Sequence, residues 1–314
     1  MESMAKKTIL VAVDGSLQSK CLVRYIGAMA AIIPDMGITL LNVQGAISQY
    51  LTEEAQKSPK INAELKRMMA RHRQKSEEIL NAHHEQLVVA GVDESRIQNV
   101  SHPMVTGVAD DILNLAQVGQ SDVIAVGRRG ITYIHELLTG SVTANLIDNS
   151  RLVPLWLTSG DVKNQRILLA VDGSNTSLRA VDHLSFVLIG NPDAHVHLLH
   201  VQPTLGDCCT IDFDKRLEKE MASVVLNADQ HCIDGFYANA LEIFKKTGIE
   251  EKRIHVKVVK NRLMTGRTIL EEARKGAFGT VVVGHRGMSK SRFMGSVSHH
   301  VIQHVKDMAV WMVP

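Results

Sequence analysis

Aliphatic runs alternate along the chain with amphipathic stretches, and this alternation predicts the secondary structure. Residues 8–13 form an uninterrupted β-branched and aliphatic run, which is typical of a parallel strand buried on both faces. Helical spacing of apolar positions follows in residues 16–31 and again in a charged stretch over residues 60–90, which Gly91 ends. The same criteria predict further strands at 38–43, 97–101, 122–127 and 152–157, and helices at 108–118 and from about 141.

The second half of the chain repeats this order of elements. It predicts strands at 166–171, 196–201, 254–259, 280–284 and 309–313, and helices at 177–188, 213–246, 268–275 and from about 296. Strands that alternate with helices favour a parallel sheet covered by helices on both faces. The fold class is therefore predicted to be α/β, with one parallel sheet in each half.

Four sequence blocks occur twice, in the same order. The second copies stand 155 to 158 positions after the first: ILVAVDGS at 9–16 and ILLAVDGS at 167–174, LLNVQ at 40–44 and LLHVQ at 198–202, VGRRG at 126–130 and VGHRG at 283–287, GSVT at 140–143 and GSVS at 295–298. Collinear blocks at so long a period indicate a duplicated domain and not a solenoid of short repeats. We predict domain 1 over residues 1–157, a polar linker over 158–165 and domain 2 over 166–314.

The composition narrows the class of partner. Hydrophobic residues make up 45% of the chain and charged residues 22%, as in ordinary globular domains. A net charge of +2 and an aromatic content of 4% argue against nucleic acid or an anionic membrane as a partner. Four cysteines and the lack of a long apolar run predict a cytoplasmic protein in a reducing compartment.

An aspartate ends the first strand of each half, where ligands of open α/β sheets bind. Asp14 and Asp172 could each accept hydrogen bonds from a ribose or a base edge. Asp-Gly-Ser is also typical of a turn followed by a helix cap. The two roles are compatible, and both stay open at the level of the sequence.

A glycine loop is the stronger chemical signal. Gly127-Arg-Arg-Gly130 ends a predicted strand, and after nine residues Gly140-Ser141 opens a helix. Glycines let the backbone approach a phosphate closely, and a helix N-terminus attracts anions. Hydroxyl and guanidinium groups stand in the same segment: Ser141, Thr143, Arg128 and Arg129. The pattern favours a phosphate site, although loop geometry alone would also explain the glycines.

Together these motifs resemble the universal stress protein family. The resemblance rests on the hydrophobic run before Asp-Gly-Ser, the Leu-Leu-x-Val strand, and Gly-x2-Gly followed after nine residues by Gly-Ser. It covers both halves and so resembles the tandem members. It implies two five-stranded parallel sheets in the order 3-2-1-4-5, a Rossmann-like architecture similar to adenine nucleotide alpha hydrolases. In the nucleotide-binding branch of the family, ATP lies between the first-strand aspartate, the end of the second strand and the glycine motif.

The resemblance carries a site over to both halves. In domain 1 it implies a nucleotide site made of Asp14, Val43, Gly127, Arg129, Gly130, Gly140, Ser141, Val142 and Thr143. In domain 2 the matching residues are Asp172, Val201, Gly284, Arg286, Gly287, Gly295, Ser296, Val297 and Ser298. Only seven residues separate Gly287 from Gly295, and a shorter loop cannot follow the same path over a triphosphate. The second site is therefore left open between the same nucleotide, a smaller ligand and none.

The sequence favours binding over catalysis. It contains neither a Gly-x4-Gly-Lys-Ser/Thr loop nor a Gly-x-Gly-x-x-Gly fingerprint. Hydrolysis needs a positioned water, a base and usually a metal, and only Glu136 in the glycine loop is a candidate base or metal contact. A solvated loop carboxylate is the favoured interpretation of Glu136. We predict ATP, with Mg²⁺ as a possible companion, bound with slow or no turnover and without catalytic residues.

Three further expectations complete the hypothesis. The fifteen histidines lack zinc-type spacing, so no metal site is predicted. The family resemblance implies that the two domains pair through their fifth strands as an intramolecular pseudo-dimer, with Trp156 and Trp311 near the axis; a homodimer is also possible. The alternatives are a nucleotide-free interaction scaffold, above all in domain 2, and an adenylyl or phosphoryl transferase.

Overall fold

The computed structural model describes residues 6–128, 142–204, 215–260, 264–285 and 294–314, without the side chains of 215–219. The chain divides into two compact units. Unit 1 contains residues up to Gly160 and unit 2 those from Asp161 onward, with Ile32–Pro34 assigned to unit 2.

Unit 1 is a parallel sheet with helices between its strands. Its strands are β1 (Lys7–Ala12), β2 (Met36–Val43), β3 (Ile97–His102), β4 (Val123–Arg128) and β5 (Leu155–Ser159). Its helices are α1 (Leu17–Ala30), α2 (Gln49–Lys57), α3 (Pro59–Val89), α4 (Val108–Val118) and α5 (Val142–Asn149), with a 3-10 turn at Glu94–Arg96. The strand order is β3-β2-β1-β4-β5 and all pairs are parallel, which confirms the predicted fold class and order.

Unit 2 repeats the arrangement. Its strands are β6 (Ile167–Val171), β7 (Val196–Gln202), β8 (Ile254–Lys260), β9 (Thr280–Gly284) and β10 (Met308–Val313). Its helices are α6 (Asn175–Leu188), α7 (Lys215–Lys246), α8 (Thr265–Lys275) and α9 (Ser296–His304), with a 3-10 turn at Glu251–Arg253. The order β8-β7-β6-β9-β10, again parallel, equals that of unit 1.

The structure refines two element assignments in unit 1. Helix α2 was not predicted, because it lies in a polar segment and buries only Ala55; Ser48, which accepts a hydrogen bond from the amide of Leu51, starts it. Strand β5 reaches Ser159 and so takes up the first two residues of the predicted linker.

The core of each unit is built around its buried strands. All five residues of β6 are buried, as are those of β5 and β10, which explains why β6 and β10 are continuous apolar runs in the sequence. Trp156 and Trp311 are fully buried. No helix within the described ranges has the length and hydropathy needed to cross a membrane.

Candidate functional site

Asp14 organises the turn that follows β1. Its Oδ1 accepts hydrogen bonds from the amide of Ser16 at 3.0 Å and the hydroxyl of Ser19 at 2.7 Å. The amide of Asp14 donates to Ser19 Oγ at 3.0 Å, while Ser16 Oγ accepts from the amide of Ser19 and caps α1. Gly15 has φ +75°, which glycine adopts without steric cost. The motif is thus a turn and a cap, and the exposed carboxylate of Asp14 stays within reach of a ligand.

The same turn follows β6 in unit 2. Asp172 Oδ1 accepts from the amide of Ser174 at 3.0 Å and the hydroxyl of Ser177 at 2.6 Å. Ser174 Oγ accepts from the amide of Ser177 and caps α6, and Gly173 has φ +80°. Each hydrogen bond of the Asp14 turn therefore has a counterpart in the Asp172 turn.

The second strand of each unit ends beside this turn. Val43 is partly exposed at the end of β2, whereas Val201 in β7 is only 7% exposed. The residue before each valine holds the first strand: Asn42 Nδ2 donates to Val13 O at 2.6 Å, and His200 Nδ1 to Val171 O at 3.0 Å. The aspartate and the predicted strand-end valine are therefore brought to one edge of the sheet in both units.

Gly127 lies at the end of β4, close to the first turn of α1. A Cβ on this residue would lie 2.7 Å from the backbone oxygen of Gln18, a distance that real Cβ atoms do not adopt. Packing alone is thus sufficient to require glycine here. Arg128 follows at 6% exposure, and burial lowers the pKa of its guanidinium. Val142 and Thr143 form the first turn of α5, with Val142 exposed.

In unit 2 two hydrogen bonds join the end of β9 to the start of α9. The amide of Gly295 donates to His285 O at 3.0 Å, and Ser298 Oγ donates to Gly284 O at 2.5 Å. Gly284, Gly295 and Ser298 therefore lie close together. The hydroxyl proton of Ser298, a residue 4% exposed, is used within the protein. Ser296 and Val297 form the first turn of α9, with Ser296 exposed.

Several predicted site residues lie outside the described residues. They are Arg129, Gly130, Glu136, Gly140 and Ser141 in unit 1, and Arg286 and Gly287 in unit 2. Their contribution to the site stays a prediction.

Sequence reasoning missed a buried pair beside the second site. His200 Nε2 lies 2.9 and 3.1 Å from the two carboxylate oxygens of Asp229 on α7. Their side chains are 3% and 11% exposed. The exchange of Asn42 for His200 between the repeats was a visible signal, whereas Asp229 stands in a helix that the repeated blocks do not cover.

Three histidines of unit 2, His195, His197 and His255, cluster at the opposite ends of the strands. His197 stacks on His255 with ring centroids 4.7 Å apart, and His195 Nδ1 lies 3.1 Å from His255 Nε2. Burial, followed by the charges of Arg166, His255 and His195, lowers the pKa of His197 to about 4. Across the described part of the chain, no group of three or more histidine, cysteine, aspartate or glutamate side chains is arranged to hold a metal ion.

Comparison with known proteins identifies relatives of both units. The model of the universal stress protein family matches residues 6–157 and 163–314. Among solved structures, a universal stress protein from Archaeoglobus fulgidus is 21% identical at a TM-score of 0.58, covering 98% of each chain. A protein of unknown function from Pseudomonas aeruginosa PAO1 is 13% identical at a TM-score of 0.56, covering 99% of this chain and 93% of its own. No match was found among curated protein sequences.

Proposed function

Because the chain belongs to the universal stress protein family, we propose that it binds an adenine nucleotide and acts in a stress response or in signalling. The ligand in this proposal is ATP, with Mg²⁺ as a possible companion, and the compartment is the cytoplasm. The nucleotide is bound at the carboxyl edge of the sheet and is hydrolysed slowly or not at all.

The aspartate turn is the observation that carries the proposal. In unit 1, Ser16 and Ser19 orient Asp14 through Oδ1 while its carboxylate remains exposed. The turn stands at the edge where an open α/β sheet binds ligands, next to the ends of β2 and β4. An oriented carboxylate at this place can accept hydrogen bonds from ribose hydroxyls without first losing conformational freedom.

A nucleotide-free scaffold is a second candidate function, for unit 2 alone. The bond from Ser298 Oγ to Gly284 O occupies a hydroxyl that the family motif would offer to a phosphate. Val201 is also more buried than Val43. Both observations favour a second site that is less accessible to a nucleotide than the first.

Nucleotide extraction tests both candidates. Purified protein is denatured with acid or heat, and the released nucleotide is identified by mass spectrometry and counted per chain. About one equivalent supports occupation of unit 1 alone, and about two equivalents support two working sites. Release of no nucleotide, together with no binding of added ATP or AMP in calorimetry, contradicts the proposal.

Asp14→Asn sharpens the test, because an asparagine oxygen can still accept from Ser16 and Ser19. Loss of the carboxylate removes a charge-assisted bond worth about 1.5–3 kcal/mol, so we expect affinity in unit 1 to fall about tenfold or more. Asp93→Asn is the matched control, since Asp93 makes a similar local bond to Ser95 in the 3-10 turn before β3.

A further inference from the structure

Asn42 and His200 make the same hydrogen bond in the two units, but through different side-chain groups. Each stands next to the end of its unit's second strand and donates to the carbonyl that precedes the site aspartate, Val13 O at 2.6 Å and Val171 O at 3.0 Å. Asn42 donates this bond through the NH2 group of its neutral side-chain amide. His200 uses one ring nitrogen, and its second nitrogen needs a partner of its own, because it is buried.

The polar link to the long helix differs accordingly. In unit 1, Ser101 of β3 donates to Ser76 of α3 at 2.7 Å. Ser101 is the register partner of Asn42, as Val258 is of His200. Val258 cannot make that bond and is 46% exposed. In unit 2 the link comes instead from His200 itself, to Asp229 of α7.

Ser76 and Asp229 occupy equivalent places on the two long helices. Three residues after Ser76, Ile79 lies 3.1 Å from the place of a Cβ on Gly15. Three residues after Asp229, Cys232 Sγ lies 2.7 Å from that place on Gly173. The three positions have thus changed as a set, from Asn42, Ser76 and Ser101 to His200, Asp229 and Val258.

The hydrogen-bond geometry shows why the new set acts as a unit. A carbonyl oxygen only accepts, so His200 Nδ1 carries a proton. Nε2 lies within hydrogen-bond distance of the Asp229 carboxylate. This bond requires a second proton, which lies between Nε2 and Asp229. Removal of either partner leaves a buried polar group without its bond, which is more costly than replacing the whole set.

We propose that His200 and Asp229 are a positioning pair for the ligand site of unit 2. The imidazole joins α7 to the carbonyl that precedes Asp172, while Cys232 packs on Gly173 in the same turn. A change in either member of the pair therefore displaces the Asp172 turn. The ligand-binding consequence rests on the proposed function, whereas the effect on the turn does not.

The test transplants the residues of unit 1 into unit 2. His200→Asn, Asp229→Ser and the triple variant His200→Asn/Asp229→Ser/Val258→Ser are compared by amide hydrogen exchange in the whole chain. We expect each single variant to accelerate exchange at Asp172, Ser174 and Ser177 about tenfold, the effect of one lost buried bond. The triple variant should return to within about threefold of the wild type.

Two controls separate positioning from general destabilisation. The amides of Asp14, Ser16 and Ser19 make the same turn in unit 1 and should not change. Asp234→Ser removes an exposed carboxylate from the same helix, where it accepts only from Gln230 among the bonds described, and should leave the Asp172 turn as it is. Should Asp229→Ser fail to fold, the comparison of His200→Asn with the triple variant decides the proposal, because His200→Asn leaves Asp229 without its partner and the triple variant restores the residues of unit 1.

Calorimetry with ATP supplies the functional arm. In an Asp14→Asn background, which weakens the first site, both single variants should lower the affinity of unit 2 about tenfold, and the triple variant should restore it. If unit 2 of the wild type binds no nucleotide, the proposed function fails there while the exchange result still decides the positioning pair. The proposal is overturned if the single variants exchange at the wild-type rate. It is also overturned if the triple variant exchanges as fast as the faster of the two single variants.

Discussion

The hydroxyl of Ser19 donates to Asp14 Oδ1 at 2.7 Å while its oxygen accepts from the amide of Asp14 at 3.0 Å. Ser19 is 4% exposed, so its hydroxyl is shielded from water although the Asp14 carboxylate is exposed. This reciprocal contact joins the first turn of α1 to the end of β1 and orients the carboxylate. The same contact joins Ser177 to Asp172.

Ser19→Ala should therefore destabilise unit 1 and weaken its ligand site together. The variant leaves the amide of Asp14 without an acceptor, which costs about 1–3 kcal/mol of unfolding free energy. Urea unfolding and nucleotide calorimetry measure the two effects. Ser177→Ala is the matched variant in unit 2 and should spare the affinity of unit 1. A Ser19→Ala protein with wild-type stability would show that the contact is dispensable.

Gly127→Ala should destabilise unit 1 by about 1–3 kcal/mol, the usual cost of overpacking. The new Cβ would lie 2.7 Å from Gln18 O and 2.8 Å from its carbonyl carbon, which are backbone atoms that cannot rotate away. Denaturant unfolding measures the change.

Gly235→Ala is the control for the glycine effect. Gly235 lies within α7 with no atom within 4 Å of a Cβ, and alanine favours a helix over glycine by about 1 kcal/mol. We expect this variant to be stabilised. If both alanine variants shift stability in the same direction, steric contact is not what requires glycine at position 127.

His197 should make unit 2 sensitive to acid. Its pKa lies at about 4 in the folded protein, against the usual value of 6.5, so the unfolded chain binds the proton more readily. The stability due to the neutral ring is complete above about pH 6.5 and falls as the pH decreases towards about 4.

His197→Gln tests this dependence. In urea unfolding, we expect the free energy of unfolding of the variant to fall less than that of the wild type when the pH is lowered from 7 to 4.5, because glutamine does not titrate. Hydrogen exchange of β7 and β8 localises the effect to unit 2. Parallel pH profiles of the two proteins would show that His197 does not contribute.

The purified protein should not turn over ATP at enzyme rates. In the sequence Glu136 is the candidate base of the glycine loop, and hydrolysis needs a positioned base as well as charge stabilisation. Phosphate release with excess ATP and Mg²⁺ should remain far below about 1 per second, the low end of ordinary turnover numbers. Sustained turnover at that rate would contradict this prediction and show that the protein is an enzyme.

Some of the chemistry followed from local sequence. Asp-Gly-Ser predicts its own turn, because Gly15 supplies the left-handed backbone and Ser16 caps the following helix within three residues. The parallel order 3-2-1-4-5 was implied by the family resemblance and is confirmed in both units. Helix α2 was missed, because a helix that buries only Ala55 leaves no apolar period to detect.

By itself the sequence determined the duplication, the alternation of strands and helices, and the aspartate turns, since each depends on neighbours in the chain or on burial periodicity. Only the tertiary structure decided which residues that are distant in the sequence come into contact. Gly127 is required by Gln18, more than a hundred residues earlier, and His200 finds Asp229 on a helix outside the repeated blocks. Such contacts depend on how closely a helix approaches a strand, and close packing sets that distance through all the intervening side chains at once.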